Sequence, residues 1–271
     1  MPYFQLKVEK RGLMPVVTYN GVPLPLDELP PDGDPGTMVD EVNKWTLAGR
    51  NTLAVRLAWP PPVEFEPGRV SLRLGLAELG DNQAFEQADS LAVDFRWPPP
   101  IEGRAGDEPP DRPTDYPLER SFAFEVTDSP PSELWPQARR LVMTSRHQQA
   151  VLKLIEELYR ALAAGDAATA ARLLAFRNEE TYRASYLNPA EAASDFETLI
   201  GMVAADPGFA MDLPWADVVE RLELKLVGNG RLVWIARRDG EAALKSSPEA
   251  GVSLSLGLYA APLAGKWTFV R

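Results

Sequence analysis

The chain has 271 residues, no cysteine and a formal net charge of −11. This length is enough for two hydrophobic cores, and the missing cysteines exclude disulfides, thiolate metal sites and cysteine nucleophiles. The excess of acidic over basic residues argues against nucleic-acid binding, because that affinity comes from Lys and Arg on phosphates. There is no run of about 18 apolar residues and no signal-peptide core at the N-terminus, so we expect a cytoplasmic protein with no membrane contact.

The negative charge is confined to one half of the chain. Residues 1–135 contain 12 basic and 23 acidic residues, whereas residues 136–271 contain 16 of each. The first half also holds 20 of the 26 prolines. Segments of such different composition favour separate domains. We therefore predict one domain over residues 1–135, a linker over 136–147 and a second domain over 148–271.

The first half is predicted to be all-β. Apolar residues alternate with polar or small residues in several stretches, which is the pattern of strands with one buried face. Pro-rich and Gly-rich segments separate these stretches, as is typical of an antiparallel β-sandwich. About six strands are expected, at residues 4–8, 15–19, 53–59, 70–76, 91–97 and 122–126.

The third of these strands follows a distinctive turn. Residues 42–56 are Val-Asn-Lys-Trp-Thr-Leu-Ala-Gly-Arg-Asn-Thr-Leu-Ala-Val-Arg. We expect Gly49 to take a positive φ after a short helical turn, and Asn51 to bond local backbone before a core strand. The stretch resembles the Asn-x-x-Leu-x-x-Gly-x-Asn-x-Leu-x-Val pattern of the jelly-roll, galactose-binding-like accessory domains of glycoside hydrolases. That resemblance implies a sandwich scaffold and leaves glycan binding as one alternative function.

Two predicted loops, at residues 27–41 and 102–119, contain most of the excess acidic residues of the first half. The sequence Asp32-Gly33-Asp34-Pro35-Gly36 fails as an EF-hand, since Gly36 occupies a ligand position and Asn43 stands where the final Glu is needed. No metal is therefore expected. The loops are explained most simply as solvated acidic surface, and they can also steer a basic partner into contact. The candidate partner-docking residues are Asp27, Glu28, Asp32, Asp34, Asp107, Glu108, Asp111 and Asp115.

After residue 136 the apolar period becomes helical. Gly165 is expected to end a first amphipathic helix and Asp166 to cap a second one. The sequence Asn188-Pro189-Ala190-Glu191 predicts the start of a third helix, with Pro at its first position. A further short helix is expected near Pro214. The stripe of the first helix has the spacing i, i+4, i+7 and i+11 at Val151, Ile155, Leu158 and Leu162.

Strands follow these helices. Residues 222–226 and 231–237 flank Gly228-Asn229-Gly230, which predicts a hairpin. Strict alternation over residues 252–258 predicts another strand, and residues 266–271 a closing strand after a turn. Helices followed by an antiparallel sheet make an α+β domain.

This order of elements is combined with Leu-Tyr-Arg-Ala-Leu-Ala-Ala-Gly-Asp at residues 158–166 and Gly-Lys-Trp-Thr-Phe-Val at 265–270. It looks like the nuclear transport factor-like (cystatin-like) cone fold, although four helices precede the first clear strand here. Members of that superfamily curl a sheet around helices to form a pocket, and they include isomerases, hydrolases and non-catalytic modules. The candidate ligand-pocket residues are the aromatic side chains Tyr182, Tyr186, Trp215, Trp234 and Trp267.

No residue set in the chain is a recognisable catalytic or cofactor signature. His147 is the only histidine, so a Ser-His-Asp triad would need it, and we expect it at a solvated helix start. The acid pairs Glu191 with Asp195 and Glu220 with Glu223 could serve as general acid and base if burial separated their pKa values, but solvated helix faces explain both pairs more simply. We therefore expect a non-catalytic, bacterial-type interaction protein without a cofactor, such as an immunity or adaptor protein that binds a basic partner. A small-ligand or carboxylate-dependent enzyme pocket in the second domain is the main alternative.

Overall fold

The fold combines antiparallel sheets with a few helices. The structure is a computed structural model. Its residues group into two compact units, Met1–Pro130 and Pro131–Arg271, so the division falls before the predicted boundary at residue 135. The residues that the structure describes are 1–26, 29–30, 34–58, 69–78, 85, 91–97, 117–239, 241–247, 249, 251 and 253–271.

The described part of the first unit contains eight strands. Their bounds are β1 Pro2–Arg11, β2 Pro15–Tyr19, β3 Val22–Pro23, β4 Gly36–Glu41, β5 Gly49–Leu57, β6 Arg69–Glu78, β7 Leu91–Trp97 and β8 Leu118–Val126. They form two four-stranded sheets with the orders β4-β1-β6-β7 and β3-β2-β5-β8. All the pairings are antiparallel.

Alternation of apolar residues decides which face of each sheet is buried. Each buried leucine or valine on these strands contributes about 2 kcal/mol to folding. The rings of Phe95 on β7 and Phe122 on β8 lie 5.4 Å apart, which joins the two sheets across the interior. In β1 and β6 the buried hydrophobic side chains are Phe4, Leu6, Val8, Val70, Leu72 and Leu74.

All six predicted strands are present, and the sheets contain β3 and β4 in addition. The prediction of a loop throughout the first acidic stretch is wrong, because Asp40 and Glu41 lie in β4 and pair with β1. Met38 is the one buried apolar residue of β4, so the strand has no alternation to detect. The second predicted loop also extends too far, since Glu119 lies in β8. Trp59, at the end of a predicted strand, lies outside the described residues.

The second unit begins with helices and ends with strands. The helices are α1 Leu134–Gln137, α2 Ser145–Ala163, α3 Ala167–Ala184, α4 Pro189–Ala205 and α5 Trp215–Arg221. The strands are β9 Leu222–Val227, β10 Leu232–Arg237, β11 Leu244–Lys245, β12 Ser255–Leu256, β13 Leu258–Leu263 and β14 Lys266–Phe269. The main sheet has the order β14-β13-β10-β9, and β11 pairs with β12.

The core of this unit lies between the sheet and the helices. The predicted stripe of α2 is buried there, together with α3 residues such as Leu174. From the sheet, Val233 and Ile235 of β10, Leu258 of β13 and Phe269 of β14 complete the same cluster. Because each of these sheet residues is fully buried, the helix-facing side of the sheet is closely packed.

The predicted helix boundaries are confirmed by their local geometry. Gly165 has a φ of 68°, and the Asp166 carboxylate accepts a hydrogen bond from the Thr169 N–H at 3.0 Å. At the start of α4, the Asn188 side chain accepts from the Ala190 N–H at 3.2 Å and donates to the Glu191 carboxylate at 3.0 Å. The bonds from the Thr169 and Ala190 N–H groups satisfy donors that have no partner inside the helix.

Two boundaries differ from the sequence predictions. The strand predicted over residues 252–258 is divided at Gly257 into β12 and β13, because β12 pairs with β11 while β13 pairs with β10 and β14. Val252 lies outside the described residues. The predicted linker is also structured: it contains the end of α1 and the start of α2, and the Leu141 N–H donates to the Gly230 carbonyl at 2.8 Å.

Candidate functional site

Most of the predicted docking residues fall outside the described part of the chain. Asp34 is described, and it is exposed immediately before β4. The docking hypothesis therefore stays a prediction for the other positions. These are Asp27, Glu28, Asp32, Asp107, Glu108, Asp111 and Asp115.

The strand that follows Asp34, β4, contains two further acidic residues, Asp40 and Glu41. Tyr3 donates a hydrogen bond to the Glu41 carboxylate over 3.1 Å. Burial, followed by the negative charges of Glu41 and Asp40, raises the pKa of Tyr3 to about 12. Val39, between Met38 and these acids, is 48% exposed. Among the described strands β4 pairs only with β1, so it forms an acidic sheet edge.

The turn before β5 is held by a buried amide. Asn51 is fully buried, and its side-chain oxygen accepts from the Leu47 N–H at 2.9 Å and from the Asn20 amide at 2.7 Å. Its amide group donates to the Leu47 and Gly49 carbonyls at 2.7 and 2.9 Å. Gly49 has a φ of 85°, as predicted. These side-chain groups bond to the protein itself, so the motif is scaffold.

Two of the predicted pocket aromatics lie near the junction of α3 and α4. Tyr182 donates to the Asp195 carboxylate at 2.6 Å, and that bond is the main cause of its raised pKa. Tyr186 follows α3 with a φ of 59°. Asp195 therefore bonds to Tyr182, while Glu191, its predicted acid–base partner, accepts from Asn188.

The three tryptophans occupy other places in the second unit. Trp215 and Trp267 pack against the core, where the Trp215 ring lies 5.4 Å from the ring of Tyr159. The Trp267 ring lies 5.6 Å from the only histidine, which is at the start of α2 as predicted. The ammonium of Lys225 lies 5.6 Å from the Trp234 ring. The five aromatics are thus distributed over several places, and a shared pocket stays a prediction.

Two clefts of the second unit involve none of these aromatics. One, of about 460 Å³, lies between the segment containing Pro136 and the β13–β14 turn at Ala264. The other, of about 430 Å³, runs between α2 and the start of α3. Its charges are partly paired, since Arg160 contacts Glu156 at 2.6 Å. Neither cleft has the residues of a recognisable catalytic set.

Glu180 on α3 is the most completely buried carboxylate described. It accepts hydrogen bonds from the Ser132 hydroxyl at 2.8 Å and from the backbone N–H groups of residues 133–134 at 2.8 and 3.0 Å. It also pairs with Arg183, and with Arg271 at 3.5 Å. Burial opposes its ionisation, but these donors and charges outweigh burial and lower its pKa. The contacts anchor the segment before α1 to α3.

A second buried ion pair joins the segment before α5 to β10. Arg237 is 3% exposed and donates to both oxygens of Asp212, at 2.5 and 2.7 Å. The hydrogen bond to Asp212 is the main reason that the pKa of Arg237 is raised. Such a two-pronged contact fixes geometry as well as charge. We assign it a structural role, because Asp212 and Arg237 bond to each other.

Glu9, Asp166 and Glu180 each have a pKa that is lowered from its ordinary value. A general acid would instead need a raised pKa. No group of three or more His, Asp and Glu side chains among the described residues is placed to hold a metal ion. No helix within the described ranges has the length and apolarity to span a membrane.

Comparison with known protein families, with curated proteins and with solved structures finds no match for this chain. The resemblances to accessory sandwich domains and to the cone fold therefore stay predictions. Function has to be argued from the charge and geometry of the chain itself.

Proposed function

We propose that this is a non-catalytic interaction protein whose first unit binds a partner with a basic surface. The observation that carries this proposal is the charge distribution. Residues 1–130 contain 12 basic and 22 acidic residues, whereas residues 131–271 contain 16 and 17. A region with an excess of one sign of charge attracts an oppositely charged protein over several ångströms and raises the association rate.

The edge strand β4 supports the same proposal. It combines an exposed apolar side chain, Val39, with the carboxylates of Asp40 and Glu41. An edge strand offers backbone groups that a partner strand can pair with, while neighbouring side chains select the partner. Asp34, two residues before β4, is exposed, and the sequence before it contains Asp27, Glu28 and Asp32.

The proposal includes a fold for each unit. The first unit would be an antiparallel β-sandwich domain, and the second would be an α+β domain. A bacterial immunity or adaptor protein in the cytoplasm has the matching chemistry, since such a protein masks a basic surface by contact rather than by catalysis.

The proposal is tested by capturing partners from the source cells at about 50 mM and at about 500 mM salt. Over this range the Debye length shortens from over 10 Å to a few ångströms, so the higher salt concentration screens the attraction between charged surfaces. The wild-type chain should capture a basic protein at low salt and lose most of it at high salt. A variant with the eight docking residues changed to their amides should capture little at either salt concentration.

A matched control removes the same number of charges from the second unit and should bind like the wild type. Equal capture by all three proteins, or capture indifferent to salt, would contradict the proposal. The control changes exposed or half-buried acids to amides at Glu191, Asp195, Glu197, Asp217, Glu220, Glu223, Asp239 and Glu249.

A further inference from the structure

The end of one sheet in the first unit forms a cleft of about 510 Å³. It lies where β1 and β7 end and where β4 and β6 begin. This volume is in the range of small-molecule sites, which span roughly 300–1,000 Å³. Pro35, Gly36 and Thr37, the residues that follow Asp34 of the first predicted docking loop, form part of its lining.

Lys10, which is buried, and Trp97 lie in one row of residues across β1, β6 and β7, on the face of the sheet that is turned to the interior. Lys10 lies opposite Val70 across β1 and β6, and Val70 lies opposite Trp97 across β6 and β7. Residues paired in this way point to the same face of a sheet. Lys10 is 4% exposed at a position of β1 where the preceding inward residues are apolar. The row therefore combines positive charge with an apolar wall.

The rest of the lining is strongly cationic. Arg11 and Arg69 lie opposite each other at the ends of their strands, and Arg96 contributes a third guanidinium that is 57% exposed and pairs with Asp94 at 3.4 Å. These three residues alternate with Lys10, Val70 and Trp97, so they leave the strands on the opposite face and line the cleft at the strand ends. Glu9 is the one carboxylate among the lining residues that the structure describes, and two cations engage it at 2.8 and 3.0 Å. A concentration of four cations is unexpected in a unit with ten more acidic than basic residues.

We propose that this cleft binds a small organic anion, namely a phosphate, sulfate or carboxylate group attached to a flat apolar body. The guanidinium groups of Arg69 and Arg96 bind the anionic group, since charge-assisted bonds from arginine suit planar and tetrahedral oxyanions. The apolar body extends around the end of the sheet to Trp97 and Val70, which lie on its other face. The cationic side chains also interact elsewhere in the chain, and binding does not require them to be free.

The test is calorimetric titration of the intact protein with phenyl phosphate, benzoate, inorganic phosphate and phenol. Phenyl phosphate or benzoate should bind saturably at one site, inorganic phosphate about tenfold more weakly, and phenol not measurably. The double change Arg69→Gln with Arg96→Gln should weaken binding about tenfold or more, because each lost charge-assisted bond contributes about that factor. Trp97→Leu should reduce the preference for phenyl phosphate over inorganic phosphate.

The matched control is Arg50→Gln with Arg120→Gln, two exposed arginines on the other sheet. It should bind like the wild type, and thermal unfolding should show that all variants are folded. Absence of saturable binding by both aromatic anions would overturn the proposal. So would an equal loss of affinity in the control, or phenol binding as tightly as phenyl phosphate.

Discussion

Asn51 shows how one buried side chain can hold a turn. Its four hydrogen bonds are to Leu47, Gly49 and Asn20. Asn51→Ala leaves these donors and acceptors buried without their partner, and we expect a loss of about 2–4 kcal/mol in the free energy of unfolding. Urea unfolding measures this. Arg50→Ala, an exposed neighbour on β5, should change stability by less than about 0.5 kcal/mol, and an equal loss in both variants would contradict the assignment.

The raised pKa of Tyr3 predicts that the protein loses stability at alkaline pH. Its pKa of about 12 exceeds the value near 10 of an unfolded tyrosine, so the folded chain holds the phenolic proton more tightly. The resulting stabilisation is complete below about pH 10 and is lost as the pH rises towards 12. The stability difference between wild type and Tyr3→Phe should therefore shrink or reverse over this range. A difference that is constant from pH 8 to about 12 would contradict the Tyr3 contact with Glu41.

At the scale of elements, Glu180 holds the segment before α1 against α3. Glu180→Gln removes the buried charge that Arg183 and Arg271 face, which should destabilise the protein by about 3 kcal/mol. Because the pKa of Glu180 is lowered in the folded state, its contribution is present above the ordinary glutamate pKa and is lost as the pH falls through the folded value. Thermal unfolding of Glu180→Gln and of its neighbour control, Glu179→Gln, measures the effect. Equal melting temperatures at neutral pH would exclude this role.

Elements with local signals are predictable from the sequence, and elements that depend on distant partners are not. The start of α4 is encoded in four consecutive residues, and the turn at Gly49 in a similarly short stretch. By contrast, β4 is a strand because β1 pairs with it, and Gly257 divides a predicted strand because β12 and β13 have different partners. Apart from Arg183, the partners of Glu180 lie more than 45 positions away along the chain, so no spacing rule could find them.

At the scale of the whole molecule, the charge asymmetry is a property of the amino-acid sequence alone. Folding places Asp40 and Glu41 on an acidic edge strand, and it also forms a cationic cleft on the same unit. The cleft is not predictable from the sequence, because its arginines lie on three strands whose register the sequence does not reveal. Opposite charges on one unit give it two chemically distinct surfaces. Our two proposals place a basic protein on the first surface and a small anion on the second.

The most direct test of the central claim is the association rate between this protein and its captured partner as a function of ionic strength. For the wild type, the rate constant should fall by about tenfold or more between low and high salt, since steering is screened. The eightfold amide variant of the docking residues should associate slowly at low salt and show little further salt dependence. A wild-type rate constant that is independent of salt, or equal to that of the variant at low salt, would contradict the account.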